Sequence, residues 1–471
     1  MTAPLWTIEE VMAATGGRLD GEVTQTIGGV SIDSRSIDAG DIFVAIAGEH
    51  RDGHEFAAAA LRKGAALAVV SRPDPEMRDS GALLVVDEPL AALERLAAAA
   101  RQRSGARIVA VTGSVGKTTS KEALRLALST SGPTHASAAS YNNQWGVPLS
   151  LARLPRDAAY AVFEIGMSRA GEITPLTRLV RPHVAIVTTI AASHLGYFAA
   201  LADIADAKAE IFAGVEPGGA AVINRDSEFF DRLASAARRD GIDRIVGFGE
   251  HRQAEVRLEG AALHDACSCV TADVFGEVLS YRVGAPGQHL VMNSLAVLGA
   301  AKLAGCDLAR AAMALARLEP QKGRGVRLKL EAPDGPITVI DESYNANPAS
   351  VRAALALLGQ ARPGRGGRRI AVLGDMLELG QEGPRLHAEL AAAIDECGAN
   401  IVYACGSNMA HLWEALPPTR RGAYAETAQD LEDSLLRDLR SGDVVMIKGS
   451  LGSRMMPLVE AIKTRYPGRA A

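Results

Sequence analysis

The 471-residue sequence has few cysteines, no excess of positive charge and no long apolar run. Its five cysteines, at 267, 269, 306, 397 and 405, are odd in number and form no CxxC pair, which fits a reduced compartment. Cys267 and Cys269 flank Ser268 in a strand-like stretch and read as two residues on one strand face rather than a metal pair. With 50 basic against 55 acidic residues, the formal charge of -5 offers no broad cationic field for nucleic acid or anionic lipid, so any anion has to be bound locally. No apolar stretch reaches the roughly 18 residues that a membrane helix needs. Residues 1–10 carry Trp6 and two acids, unlike the basic and then apolar layout of a signal peptide. A cytoplasmic protein with no nucleic-acid partner and no membrane insertion is expected.

At roughly 150 residues per domain the length suggests three domains. The strand-like run 108–111 leads through Gly113-Ser114-Val115-Gly116-Lys117-Thr118-Thr119 into a helical pattern from 118 to about 129, one βα unit. Strand-like runs follow at 160–163, 184–187 and 220–223, with helical stretches at 204–212 and 293–304. A second alternation comes after them: strands at 337–340, 370–373, 401–404 and 444–447, and helices at 349–358, 384–396 and 427–439. The first 85 or so residues have short strands, Gly and Asp turns and one clear helix near 56–63. The expected fold is α/β in three domains: a small N-terminal α/β module (1–86), a central P-loop α/β ATPase domain (87–318) and a C-terminal Rossmann-like α/β domain (319–471). Of the biased stretches, 97–100 reads as ordinary helix and the basic turn 362–369 as a solvated loop.

A glycine-rich turn between strand and helix aims several backbone N–H groups at one point, and the helix dipole adds about half a positive charge there. A polyphosphate fits that point. Lys117 supplies a full charge for the β and γ phosphates, and the Thr118 hydroxyl can hold Mg²⁺. The usual spacing asks for glycine at the position of Val111, yet the extra glycine here is Gly113, so the loop is a shortened variant. Glu164 follows the strand 160–163, where an open sheet presents groups to its crevice, and can complete the magnesium site. Alone, His194 in a loop and Lys208 on an Ala-rich helix carry no signal.

The run 112–122, TGSVGKTTSKE, resembles the ATP loop of the Mur ligases, which build the peptide stem of bacterial cell wall. Agreement continues in order through YNNQWGVP (141–148), EIG (164–166), SHL (193–195) and AKAE (207–210). The resemblance implies that Glu164 and His194 bind magnesium and that Lys208 carries CO₂ as a carbamate, which suits a magnesium partner because an ammonium would repel the metal. Asn142 and Asn143 fall on the substrate side. The family's GxHNxxN motif appears as GQHLVMN (287–293), with Leu290 for the first asparagine and Asn293 kept as a nucleotide contact. Arg324 matches an arginine that reaches the γ-phosphate.

The runs DESYNANP (341–348) and LGDMLELG (373–380), with His387 downstream, look like the branch of the family that adds D-alanyl-D-alanine. Each follows a predicted strand, so its polar groups fall on the crest where open sheets bind ligands. Asn345, Asn347 and Asp375 are the expected dipeptide-side residues, and Glu342, where relatives often have aspartate, the ribose contact. Lys448-Gly449-Ser450 resembles the crest turn of the same branch, and the Asp-Asn-Pro-Arg signature of the diaminopimelate-adding branch is absent. Near the start, DSR (33–35), GDIFVA (40–45) and DGH (52–54) resemble the family's uridine-nucleotide module, with Ser34 and Arg35 on the diphosphate or uracil.

The resemblance implies an ATP- and Mg²⁺-dependent ligase, expected as a monomer, that takes UDP-MurNAc-tripeptide and D-alanyl-D-alanine. Lys117, Lys208, His194 and Arg324 would be its catalytic residues. A P-loop switch or motor would want an aspartate after an apolar strand, where this chain has Glu164. A folylpolyglutamate-type ligase shares the middle module but not the runs at 341–348 and 373–380.

Overall fold

Three sheets succeed one another along the chain in a computed structural model that describes residues 4–48, 51–137 and 140–467. The first contains β1 (Arg18–Asp20), β2 (Gly29–Ser31), β3 (Asp41–Val44), β4 (Leu67–Val70) and β5 (Leu83–Val85), in the spatial order β1-β5-β4-β3-β2. Every residue of β3 and β4 is buried, as expected of parallel strands covered on both faces. The sequence reading found one helix here, but Ile8–Thr15 and Pro75–Ser80 are helical too. The first was signalled by a capping box, Thr7 with Glu10.

The helix Pro89–Arg103 places Leu93, Leu96 and Ala100 in the first core and Ala97 in the next. Trp6 reinforces that junction. Its indole N–H donates to Ala152 O at 2.9 Å, and the Arg103 guanidinium stacks 3.6 Å from its ring centre.

The central sheet has nine strands: β6 (Arg107–Thr112), β7 (Thr134–Ala136), β8 (Tyr160–Glu164), β9 (Val184–Val187), β10 (Ala220–Asn224), β11 (Arg244–Gly249), β12 (Val256–Leu263), β13 (Ser268–Val274) and β14 (Glu277–Val283). The order β14-β13-β12-β11-β10-β9-β6-β8-β7 puts β6 between β8 and β9, so the chain winds away from β6 in both directions. That is the switch point at which open α/β sheets leave a crevice for ligands. β12 to β14 form antiparallel hairpins that the sequence reading did not resolve. In β13, Ser268, Val270, Ala272 and Val274 are buried while Cys269 is exposed.

The last sheet runs β15 (Val326–Ala332), β16 (Gly335–Glu342), β20 (Val444–Lys448), β17 (Arg369–Gly374), β18 (Ile401–Cys405) and β19 (Arg421–Ala425) in space, parallel except for the β15–β16 hairpin. Two expectations need correction. The helix read as 384–396 is two, Gly383–Ala388 and Leu390–Glu396. The basic turn 362–369 is not wholly solvated, because Arg368 is drawn into the fold by Asp443 at 2.8 Å and Asp438 at 3.0 Å. Among the described residues no helix is long and apolar enough to cross a membrane.

Candidate active site

The glycine loop joins β6 to the helix Lys117–Leu128. Both glycines are enforced by close approach. Gly113 has φ +147°, and a Cβ there would lie 1.9 Å from Thr188 Oγ1. Gly116 has φ +87°, and a Cβ would lie 2.7 Å from Asn293 Nδ2. Thr188, directly after β9, donates its hydroxyl to Val115 O at 2.6 Å. Ser114 donates through its backbone to Thr189 O and through its hydroxyl to Ala191 O, at 2.8 and 2.9 Å, so its side chain ties down the loop. The helix starts at Gly116 without a side-chain cap, which leaves its first N–H groups for a ligand.

Lys117 reaches back to donate to Gly113 O at 2.7 Å. Burial lowers its pKa, Glu164 opposes that shift and Arg324 adds to it. Glu164, 1% exposed at the end of β8, accepts the Asn142 amide at 2.7 Å with Oε1, while Oε2 is buried without a partner among the described residues. The Thr118 hydroxyl is 3.4 Å from Ser140 Oγ.

Lys208 is 1% exposed, and burial holds its pKa well below the lysine range. The charge it feels is the Lys117 ammonium, not a carboxylate. His194, in the left-handed region at φ +59°, pairs through Nδ1 with Glu378 of the last domain. Burial depresses the His194 pKa against that pairing, and the charges of Lys117 and Lys208 depress it further. Gly196 N donates to Glu378 O at 2.8 Å, a second bond across the same junction. Among the described residues no three His, Cys, Asp or Glu side chains converge on one point.

A cavity of about 510 Å³ lies between the central and last domains. Polar groups line it, among them the loop 114–119, Glu164 and His194, and so do the apolar Ala285, Pro286, Leu290, Leu318, Ala353 and Leu357. Arg324 and Tyr344 line it too, with the guanidinium 4.2 Å from the ring centre. Lys448 donates to Glu342 Oε2 at 3.2 Å and to Asn345 O at 2.9 Å, tying the tips of β16 and β20 together.

Several expected site residues are engaged in holding the backbone. Asn143 Oδ1 accepts from Gly146 N at 2.9 Å, and Asn347 caps the helix Pro348–Gln360 by accepting from Ser350 N at 2.9 Å, yet both still line the cavity with Asn142 and Asn345. Asn293 does not line the cavity and instead packs against Gly116. Asp375 is 6% exposed and does not line the cavity, and its carboxylate accepts the N–H groups of Met409 and Asn408 at 2.8 and 3.3 Å. Fully buried His387 supports the same loop, donating Nδ1–H to Gly383 O at 2.6 Å and accepting Met376 N–H at 2.9 Å. Ser34 and Arg35 lie outside the cavity, on the one-turn helix Ser34–Ser36, where Arg35 pairs with Asp33 at 2.7 Å. Thr188 was missed, although its place just after a crest strand was a usable signal.

Residues 111–301 match the Mur ligase middle domain, 326–451 the Mur ligase glutamate ligase domain and 26–101 the Mur ligase family catalytic domain. Two relatives, from Rickettsia prowazekii (strain Madrid E) and Escherichia coli (strain K12), are 30% and 32% identical over 461 residues, 97% of this chain and 99% and 98% of theirs. The chain belongs to the Mur ligase family. Both Mur ligase relatives are named UDP-N-acetylmuramoyl-tripeptide–D-alanyl-D-alanine ligase. A solved Mur ligase, MurF from Acinetobacter baumannii, is 30% identical and superposes with a TM-score of 0.84, covering 98% of this chain and 99% of that one.

Proposed function

We propose that this Mur ligase joins D-alanyl-D-alanine to UDP-MurNAc-tripeptide at the expense of ATP, giving UDP-MurNAc-pentapeptide, ADP and phosphate. The carrying observation is the cavity itself, lined by an uncapped helix start with Lys117, by apolar side chains, and by Glu342 and Lys448 from the crest of β16 and β20. Such a cavity suits a nucleotide whose γ-phosphate points toward a second substrate.

A carboxylate does not acylate an amine near neutral pH, so it has to be activated. The γ-phosphoryl group of ATP passes to the terminal carboxylate of the tripeptide, with Lys117 and Arg324 offsetting charge on the transferring oxygens. The amine of D-alanyl-D-alanine then attacks the acyl carbon, and phosphate leaves. Enclosure between two domains keeps water from the acyl phosphate.

The donor set fits magnesium: Glu164 Oε2 is buried without a partner among the described residues, as a metal-ligand oxygen would be, and Thr118 and His194 line the same cavity. Lys208 would join them as a carbamate, since a buried amine whose pKa is held down gives up its proton more readily and can then add to CO₂ with loss of one further proton. Bound there, Mg²⁺ would neutralise phosphate charge. Glu342 is assigned to the ribose, and Asn345 and Asn347 to the dipeptide. Asn142 and Asn143 are assigned to the tripeptide, and Ser34 and Arg35 to the uridine diphosphate. Asp375 and Asn293 are assigned supporting roles beneath the crest and the phosphate loop. The division into 1–86, 87–318 and 319–471, action as a monomer and a cytoplasmic location belong to the same proposal.

Phosphate release from ATP tests it. Release is expected only with both UDP-MurNAc-tripeptide and D-alanyl-D-alanine present; release indifferent to the dipeptide, or seen without the nucleotide-linked peptide, refutes the ligase reading. Thr188→Val, which keeps shape but removes the hydroxyl on Val115 O, is expected to raise KM for ATP about fivefold, as befits one net hydrogen bond. Thr188→Ser should stay near wild type in the same steady-state assay.

A further inference from the structure

Arg327 lines the cavity, yet no motif singles it out and the reaction above gives it no part. It sits on β15 opposite Ile340 of β16, which also lines the cavity. Side chains on a strand return to the same face every second residue, so Arg327 shares a face with Gly325, and Ile340 with Glu342. Arg327 therefore stands one pleat further from the crest than the Glu342 carboxylate. Its electrostatic neighbour is Asp265, in the turn between β12 and β13. That hairpin is bonded to the apolar wall, since Ser268 Oγ donates to Ala285 O and accepts from Gly287 N, both at 3.3 Å. Arg327 is thus linked through that hairpin to Ala285, one of the apolar lining residues, whereas Arg324 stands within the field of Lys117.

Arg327 Nη2 is buried and has no hydrogen-bond partner among the described residues. Burial also pulls the Arg327 pKa down against the attraction of the exposed Asp265. A donor shut away from water without an acceptor is unfavourable, and the Arg327 side chain, which lines the cavity, can turn that donor toward an acceptor brought by a ligand. A purine nucleoside offers ring nitrogens and ribose oxygens as acceptors, and a π face on which a guanidinium can lie.

We propose that Arg327 is a nucleotide-binding residue that holds the nucleoside half of ATP, donating from Nη2 to an acceptor on the base or ribose. The assignment rests on the reading that ATP occupies this cavity. It differs from the roles of Lys117 and Arg324, which answer to phosphate.

The test is Arg327→Met, with Arg327→Lys beside it, in the full-length protein. KM for ATP is expected to rise about tenfold in Arg327→Met with kcat changed by less than about twofold, and ADP should compete about tenfold less well. Inhibition by inorganic tripolyphosphate, which lacks a nucleoside, should not change. Because the substitution removes an unsatisfied donor, the unfolding midpoint without nucleotide should hold or rise, while the upward shift produced by ADP shrinks. Arg327→Lys should fall between wild type and Arg327→Met. Equal weakening of ADP and tripolyphosphate, a fall in kcat at unchanged KM, or a lower nucleotide-free midpoint would each overturn the assignment. Should the wild type release no phosphate from ATP with both substrates present, the ATP reading itself fails, whatever the variants do.

Discussion

Lys117→Ala is expected to lose turnover by about a thousandfold or more, because the ammonium is the principal fixed charge at the γ-phosphate end. The bond from Nζ to Gly113 O holds that charge within the loop before any nucleotide arrives. No neighbour can replace it: Arg324 is engaged with Tyr344, and Lys208 is buried with a strongly depressed pKa. Single-turnover phosphate release, compared with an unfolding curve for the same variant, separates lost chemistry from lost fold. Activity within about tenfold of wild type in a folded Lys117→Ala protein would remove Lys117 from the transition state.

Lys208→Ala is the second large expected loss, again about a thousandfold, since it removes the carboxylate that a carbamate would lend to the metal. The side chain is enclosed, and the charge it feels is another cation, an arrangement that disfavours an ammonium. Two outcomes separate the carbamate from a plain structural lysine. Formate or acetate in the assay should restore part of the activity of Lys208→Ala, and labelled CO₂ should give a carbamate carbon signal in wild type that the variant lacks. If acids restore nothing and the signal is absent, Lys208 serves as an uncharged packing residue.

The shape of the glycine loop was legible in advance because it is written in backbone rules: two glycines that must take positive φ, a lysine and a threonine, between a strand and a helix. Crest positions were legible for the same reason, since a polar residue after an apolar run marks a strand end, as at Glu164 and Glu342. That rule places a residue at the crest but does not say which way its side chain turns. Asp375 follows β17 and looked like a ligand group, yet it turns inward because the uncapped start of the helix Met409–Ala415 offers it two N–H groups. Asn347 before Pro348 carried both a crest signal and a helix-start signal, and it combines the two roles.

What escaped the reading depended on partners distant in sequence. Thr188 matters through a carbonyl 73 residues away. Arg327 has meaning only once β15 is laid beside β16 and the hairpin carrying Asp265 comes near. The hairpins β12 to β14 were hidden because exposed small residues, such as Gly260, Ala261 and Ala262, blur the alternation that marks a half-buried strand.

The cavity has one wall on the central sheet's crest and the other on the last sheet, and the two are also fastened where Glu378 meets His194 and Gly196. A nucleotide seated there is gripped from both sides. On the proposed reading, what enters as ATP has to depart as ADP through the same gap, so every catalytic cycle contains a mechanical opening as well as bond making. The fastening at Glu378 then works like friction in a clasp: it bears on how soon the enzyme is free for its next substrate.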